Sequence, residues 1–344
     1  MRRNSEFWKW LKIVLFPAVV IVRKYRSISM RPTAVARRLY AYDCIRFARH
    51  AGGFHPEFRA ASIARIIMAY HVLEKGLTMP HRHLDFGHSA VLNLIRLVED
   101  FEKRFGVADA QVEHAIGCVK EYLEIHDLSN FDTSNDEAYW NRIKTFCSLH
   151  ANVPSSKQIK ITREQFFSYN DASFPVFARS RHTSRHYEGV VDIKRIKSAV
   201  ELAMTAPSAC NRQFVKVYCV SNHEIRDEIF KLQNGNRGFG SAADKLLVVT
   251  ADLCGNRWAE ERNDLYTNAG IFIMNLCYAL HYNKIVHCIL NWSVSPQNDV
   301  SGHDLLGIPE NEAITAVLAC GNAPDNFLVA ASPRKKLTDI FKEI

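Results

Sequence analysis

Three separated segments hold residue types suited to a charged, flat ligand. The first is Arg181-His182-Thr183-Ser184-Arg185-His186-Tyr187. Two guanidiniums four residues apart, with an imidazole and two hydroxyls between them, form a dense donor array. A dianionic phosphate takes such donors well, because charge-assisted and bidentate hydrogen bonds are the strong ones. The second is Ala206-Pro207-Ser208-Ala209-Cys210-Asn211-Arg212-Gln213. Its small residues let the backbone approach a planar ring, and Asn211 offers both donor and acceptor to a heteroaromatic edge. The third is Pro333-Arg334-Lys335-Lys336. Each has an ordinary reading when taken alone: a solvated basic loop, a helix-to-strand turn and a basic tail.

The elements that must position these residues follow from periodicity. Ile63, Ile66, Ile67, Tyr70 and Leu73 recur at helical spacing after Pro56, and 90–105 and 110–125 read as two further helices. The polar stretch 129–137 precedes another short helix that ends near His150. Residues 151–172, with little apolar periodicity, read as a linker. The rhythm then changes. An amphipathic helix over 193–204 starts at Asp192 as N-cap, and Pro207 closes it. Strands are expected over 214–220, 245–251, 285–292 and 314–320, with helices over 224–232 and 264–282. Such alternation predicts a layered α/β or α+β domain. The division expected is 1–30 as a basic and apolar segment, 31–150 helical, 151–172 linker and 173–344 the ligand-binding domain.

Taken in order, the three segments resemble the nitroreductase family of FMN enzymes. That family shows an Arg-(Arg/His)-Ser-x-(Arg/Lys)-x-(Phe/Tyr) segment before its first core helix, a (Ala/Pro)-Pro-Ser-x-x-Asn-x-Gln segment before a strand, and an Arg-Lys pair after the last core strand. Asn268-Ala269-Gly270 and Ile308-Pro309 stand where the family has its Asp-Ala-Gly and closing Ile-Pro. The resemblance covers about half the chain. It implies an α+β fold, a layered mixed sheet with flanking helices, here preceded by an all-helical region. It implies that Arg181, His182, Thr183 and Arg185 contact FMN along its phosphate, ribityl chain and pyrimidine side. Pro207, Ser208, Asn211 and Gln213 would meet the isoalloxazine edge, Asn291 and Trp292 would offer backbone N–H groups to flavin N5, and Arg334 with Lys335 would neutralise the phosphate. It also implies a homodimer with FMN at the interface, and ping-pong chemistry from NAD(P)H to a small-molecule acceptor. Cationic groups beside the pyrimidine stabilise the reduced, anionic flavin, which singles out Arg185 as electrostatic tuner. No protein nucleophile is required.

Three departures bear on turnover and on the acceptor. Phe214-Val215 replaces the usual Pro-Trp, Asn268 replaces Asp, and Asn291-Trp292 replaces a Gly-rich loop. The segment Tyr70 to Pro80, with Arg82 and Phe86-Gly87, is similar to one in longer nitroreductase-like proteins associated with bacterial surface-polysaccharide gene clusters. A non-catalytic flavin-binding accessory role in such a system, or a helical interaction protein with an empty flavin domain, are the alternatives. Glu74 and Lys75 either close over a partner's flavin or form a local ion pair. His71, His81, His83 and His88 read as surface or capping residues rather than metal ligands.

Composition bounds the rest. With 47% hydrophobic and 23% charged residues the chain can bury a sizeable core. Nine cysteines without a CxxC pair argue for a reducing cytoplasm and against disulfides or structural zinc. Residues 1–50 hold twelve Lys/Arg against two acids, so the net charge of +8 belongs to the N-terminus. Its apolar run, Ile13 to Val22, is short of the about 20 residues that span a bilayer. No small-residue cleavage site follows it. Trp8, Trp10 and the flanking cations suit either an interfacial anchor, giving peripheral membrane contact through 1–30, or a docking segment. No nucleic-acid motif accompanies the cations.

Overall fold

The computed structural model describes residues 32–106 and 109–344. The basic N-terminal segment, and with it the expected membrane contact, lies outside the described residues. Among the described residues no helix is long and apolar enough to cross a membrane.

The described chain divides into two units, residues 32–50 with 257–262, and the remainder. The small unit is helix α1 (Pro32–His50) and the turn at 259–261. Arg262 holds them together, donating from Nε and Nη2 to the two carboxylate oxygens of Asp43 at 2.5 and 2.7 Å. The boundary at residue 50 differs from the helical domain of 31–150 expected from periodicity, which cannot show which helices pack together.

The large unit begins with four helices, α2 (Arg59–Leu77), α3 (His88–Phe105), α4 (Ala110–Leu128) and α5 (Glu137–Leu149). In α2 the buried residues Ile63, Ile66, Tyr70, Leu73 and Leu77 repeat at alternating spacings of three and four. In α3 they are Val91, Leu94, Ile95, Val98 and Phe101. These faces close on Tyr122, Trp140 and Phe146 in one core. Full burial of side chains such as Ile66 and Leu73 contributes about 1.5–3 kcal/mol each. Asp109 and Asp136 cap α4 and α5 by accepting backbone N–H bonds from Gln111 and Tyr139.

One glycine explains how α4 meets the chain that follows it. A Cβ on Gly117 would lie 2.8 Å from the Ser156 nitrogen and 2.9 Å from the Pro154 oxygen, both backbone. The Ser156 N–H donates to the Gly117 carbonyl at 3.0 Å. G117A raises helix propensity yet is expected to destabilise by about 1–3 kcal/mol, because backbone cannot yield as a side chain does. Thermal denaturation checks this, and an unchanged or raised Tm refutes it.

The remaining elements follow in order: β1 (Ile159–Thr162), α6 (Arg163–Phe166), α7 (Phe174–Ser180), α8 (Ile193–Ala203), β2 (Val215–Val220), α9 (His223–Leu232), β3 (Lys245–Asp252), α10 (Asp264–Tyr282), β4 (Val286–Asn291), α11 (Pro296–Leu306), β5 (Glu312–Gly321), β6 (Asn326–Val329) and α12 (Leu337–Ile340). Four strands form a sheet in the order β2-β3-β5-β4, each pairing antiparallel. Successive residues of β3 point to opposite faces. Leu247, Val249 and Ala251 join the core under α8 and α10, while Leu246 and Val248 join the core under α9. The fold is α+β and layered, as expected. The stretch expected to be a linker is structured instead. Within it β1 pairs antiparallel with β6, and Phe166 and Phe167 are buried against Val286 and Phe327.

Candidate functional site

The segment 181–187 is pinned across the sheet. The Ser184 N–H donates to the His287 carbonyl of β4 at 3.1 Å. The Tyr187 ring lies on Gly321 of β5, where a Cβ would come within 2.7 Å of it. The Tyr187 hydroxyl donates to the Ser184 carbonyl at 3.1 Å, closing the segment on itself.

The helical bundle meets this same segment through α2. The His186 Nε2–H donates to the Thr78 carbonyl at 2.7 Å. Arg185 Nη2 donates to His71 Nε2 at 3.3 Å. Lys75 Nζ donates to the Gly235 carbonyl at 2.5 Å. Lys75 and Arg185 both sit over the buried Phe239 ring, at 5.2 and 5.7 Å from its centroid. Burial, then the neighbouring Arg185 charge, lowers the Lys75 pKa. Glu74 and Lys75 are therefore not a local ion pair: they reach different segments.

Arg181, His182, Thr183, Arg185, Arg334 and Lys335 line one cavity of about 780 Å³, with Tyr70 and His71 of α2 and Gln111 of α4. Its volume falls in the range of small-molecule sites, about 300–1,000 Å³. Among the described residues no carboxylate lines it. Arg185 is 7% exposed, and the buried Nε atoms of Arg181 and Arg185 have no hydrogen-bond partner. A buried cation without a counter-charge is costly, so the donor set fits an anionic ligand. Burial, then the charges of Arg181 and Arg334, lowers the His182 pKa, leaving a neutral imidazole in the wall at neutral pH.

A second cavity, of about 790 Å³, has Arg163 and Arg195 in its wall. Both guanidiniums are taken. Arg163 pairs with Asp325 at 3.0 Å, and Arg195 donates to the carbonyls of Asn283 and Lys284 and to Asn322 Oδ1. It offers far less to an anion.

The segment 207–213 lies away from the cationic cavity. Pro207, Ser208 and Gln213 line a separate pocket of about 170 Å³ with Asn268 and Phe272, and Asn211 is exposed. Cys210, Asn211 and Gln213 hold left-handed backbone, φ 52, 55 and 49°. Such positions cost of order 1–3 kcal/mol each and persist only where the surroundings dictate them. Asn268 braces the residue that leads into them. Its Oδ1 accepts the Ala209 N–H at 2.7 Å while its Nδ2 donates to the Asp264 carbonyl at 2.6 Å. A carboxylate accepts only, so Asn rather than Asp serves both ends here. Asn291 and Trp292 line neither of these two cavities. The Asn291 carbonyl accepts from Gln233, and the Trp292 indole N–H donates to Asp299 at 2.6 Å.

Periodicity missed the contribution of the helices. His71, read as a surface residue, is exposed and also lines the cavity. His114 and Cys118 escaped notice, although their i, i+4 spacing in an apolar helix is a usable signal. With Glu74 they bring a carboxylate oxygen, an imidazole nitrogen and a sulfur within 4.8 Å of one another, a set that zinc accepts. Hydrogen bonds account for the cluster without an ion. Glu74 Oε1 accepts from His114 and from the Ser332 N–H, Oε2 accepts from the Ser332 hydroxyl, and Cys118 accepts from Ser156. Burial also pushes the Cys118 thiol up.

The family model described as Nitroreductase family matches residues 178–252. Among solved structures, a nitroreductase family protein from Streptococcus pneumoniae TIGR4 is 22% identical, covering 50% of this chain and 100% of its own, with TM-score 0.44. An FMN-dependent nitroreductase from Clostridium difficile R20291 is 17% identical, covering 48% of this chain and 92% of its own, with TM-score 0.38. No curated protein matches the chain.

Proposed function

With residues 178–252 a nitroreductase-family segment, we propose that the protein is an NAD(P)H-dependent flavin oxidoreductase whose cationic cavity holds FMN by its phosphate. The observation that carries this reading is the convergence of Arg181, Arg185, Arg334 and Lys335 on one cavity without a lining carboxylate. FMN supplies the hydride chemistry, and the protein binds, orients and tunes it. Arg181 and Arg334 neutralise the phosphate. Thr183 and the neutral His182 donate to the ribityl chain. Arg185, buried and fixed over Phe239, sets the charge beside the ring system. The helices close one side. One cavity has to admit NAD(P)H and a small acceptor in turn, which favours ping-pong kinetics.

The separate position of 207–213 supports a homodimer. One copy leaves this strained loop exposed and away from its own cations. A second copy would bring it to the cofactor. A membrane-peripheral location and a role in polysaccharide assembly stay with the sequence reading alone.

The test is the visible spectrum of purified protein before and after anaerobic NAD(P)H. Flavin bands that bleach are the expected result. Bound flavin that does not bleach favours the non-catalytic accessory protein, and protein that takes up no added FMN refutes the assignment.

A further inference from the structure

We propose that Glu74 is a positioning residue of the cofactor cavity: from α2 it clamps Ser332 in a left-handed conformation and so aims Arg334 and Lys335 at the ligand. The proposal rests on the FMN reading. Glu74 lies 258 residues from Ser332 in sequence and is fully buried. Its Oε1 accepts the Ser332 N–H at 2.9 Å, and its Oε2 accepts the Ser332 hydroxyl at 3.1 Å. Ser332 has φ 40°, a region that a residue with a Cβ adopts reluctantly. Both bonds are made to the residue whose backbone is strained. The turn continues into the cavity: Arg334 Nη1 donates to the Ser332 carbonyl at 2.7 Å, and Arg334 and Lys335 line the wall.

The clamp is anchored behind by His114, which donates to Glu74 Oε1 at 2.8 Å, with His71 Nδ1 3.9 Å from Oε2. Burial alone would raise the Glu74 pKa. The bonds from His114 and the Ser332 N–H, with His71 nearby, outweigh burial and hold it at about 2. A carboxylate accepts at both oxygens, and its charge strengthens all three bonds. The helical region is thus part of the cofactor site rather than an appendage to it.

The test is a double-mutant cycle on the full chain, read by FMN titration and by amide hydrogen exchange without FMN. E74Q keeps the shape, and the Ser332 hydroxyl can accept from its NH2, but the charge that strengthens all three bonds is gone. It is expected to speed exchange at the Ser332 amide and to weaken FMN binding about tenfold, the scale of one charge-assisted hydrogen bond. S332G adopts positive φ without the clamp, so in that background E74Q should weaken FMN binding by no more than about threefold. Loss of equal size in both backgrounds, or faster Ser332 exchange with unchanged FMN affinity, overturns the proposal. Wild-type protein that binds no FMN overturns the cofactor reading instead, and the exchange result alone then decides whether the clamp exists.

Discussion

The double variant R181A/R334A is expected to lose FMN binding by about two to four orders of magnitude. A hydrogen bond to a charged group contributes about 1.5–3 kcal/mol, and two such contacts to one phosphate sum to about 3–6 kcal/mol. Each 1.4 kcal/mol or so is tenfold in affinity. The two arginines come from segments more than 150 residues apart in the sequence and line the same cavity. Arg181 projects a buried Nε without a partner, and Arg334 is exposed, so removing either costs little of the fold's own bonding. R334A alone should cost about ten- to a hundredfold. R334K should recover part of that, since the ammonium restores charge without the planar fork. Flavin fluorescence titration reads all three, with Tm as the control for folding. A double variant that binds FMN within threefold of wild type would place the phosphate elsewhere and remove the main support for the assignment.

Such an arrangement was partly legible in the sequence, and the limits have physical causes. Helix 264–282 and the strands near 245–251 and 286–291 were readable because each is a continuous apolar run whose ends carry turn residues. Strand Ile159–Thr162 was not, because it is four residues long and its partner, Asn326–Val329, lies more than 160 residues away. Short strands are specified by pairing more than by local pattern. The cationic segments were visible as donor arrays, and the family resemblance supplied their convergence. The wall provided by Tyr70, His71 and Gln111 was invisible, since a polar residue on a helix face reads the same whether it meets water or a ligand. Glu74 is the sharpest case. Next to Lys75 it looks like half of an exposed pair, yet it is fully buried and its partners are His114 and Ser332.

Acid is expected to destabilise the protein steeply between pH 6.5 and 4, through two buried histidines. His281, in the last turn of α10, is fully buried among Phe166, Phe167 and Phe177, and its Nδ1 has no hydrogen-bond partner. His287, on β4, is 1% exposed, with Nε2 unpartnered and Nδ1 3.3 Å from the Ile285 carbonyl. Burial lowers the His281 pKa to about 3, helped by the charges of His287, Arg181 and His182. Burial, then Arg181, lowers that of His287 to about 4. The unfolded chain takes up both protons near the ordinary histidine value of about 6.5, and the folded chain refuses them until the lower values. Over that interval the unfolded state binds more protons, so stability rises with pH and is lost as pH falls. At about 1.4 kcal/mol per pH unit per histidine, the loss by pH 4 is on the order of 5 kcal/mol, comparable with a domain's whole stability. Glu74 does not confuse the reading: its carboxyl is depressed from the ordinary 4.5 to about 2, so its contribution is lost mainly below this window. The measurement is the urea midpoint as a function of pH for wild type and H281F. Phenylalanine suits a site already walled by three phenylalanine rings and cannot titrate. H281F should flatten the slope by about one proton between pH 6.5 and 4. A wild-type midpoint that does not move across that range would show that neither imidazole is kept neutral by the fold, and a slope that H281F leaves unchanged would show the same for His281 alone. The effect reaches the site as well, because the His287 carbonyl holds the Ser184 N–H at 3.1 Å, one residue from Arg185. Loss of β4 at low pH should therefore release the flavin along with the fold rather than before it.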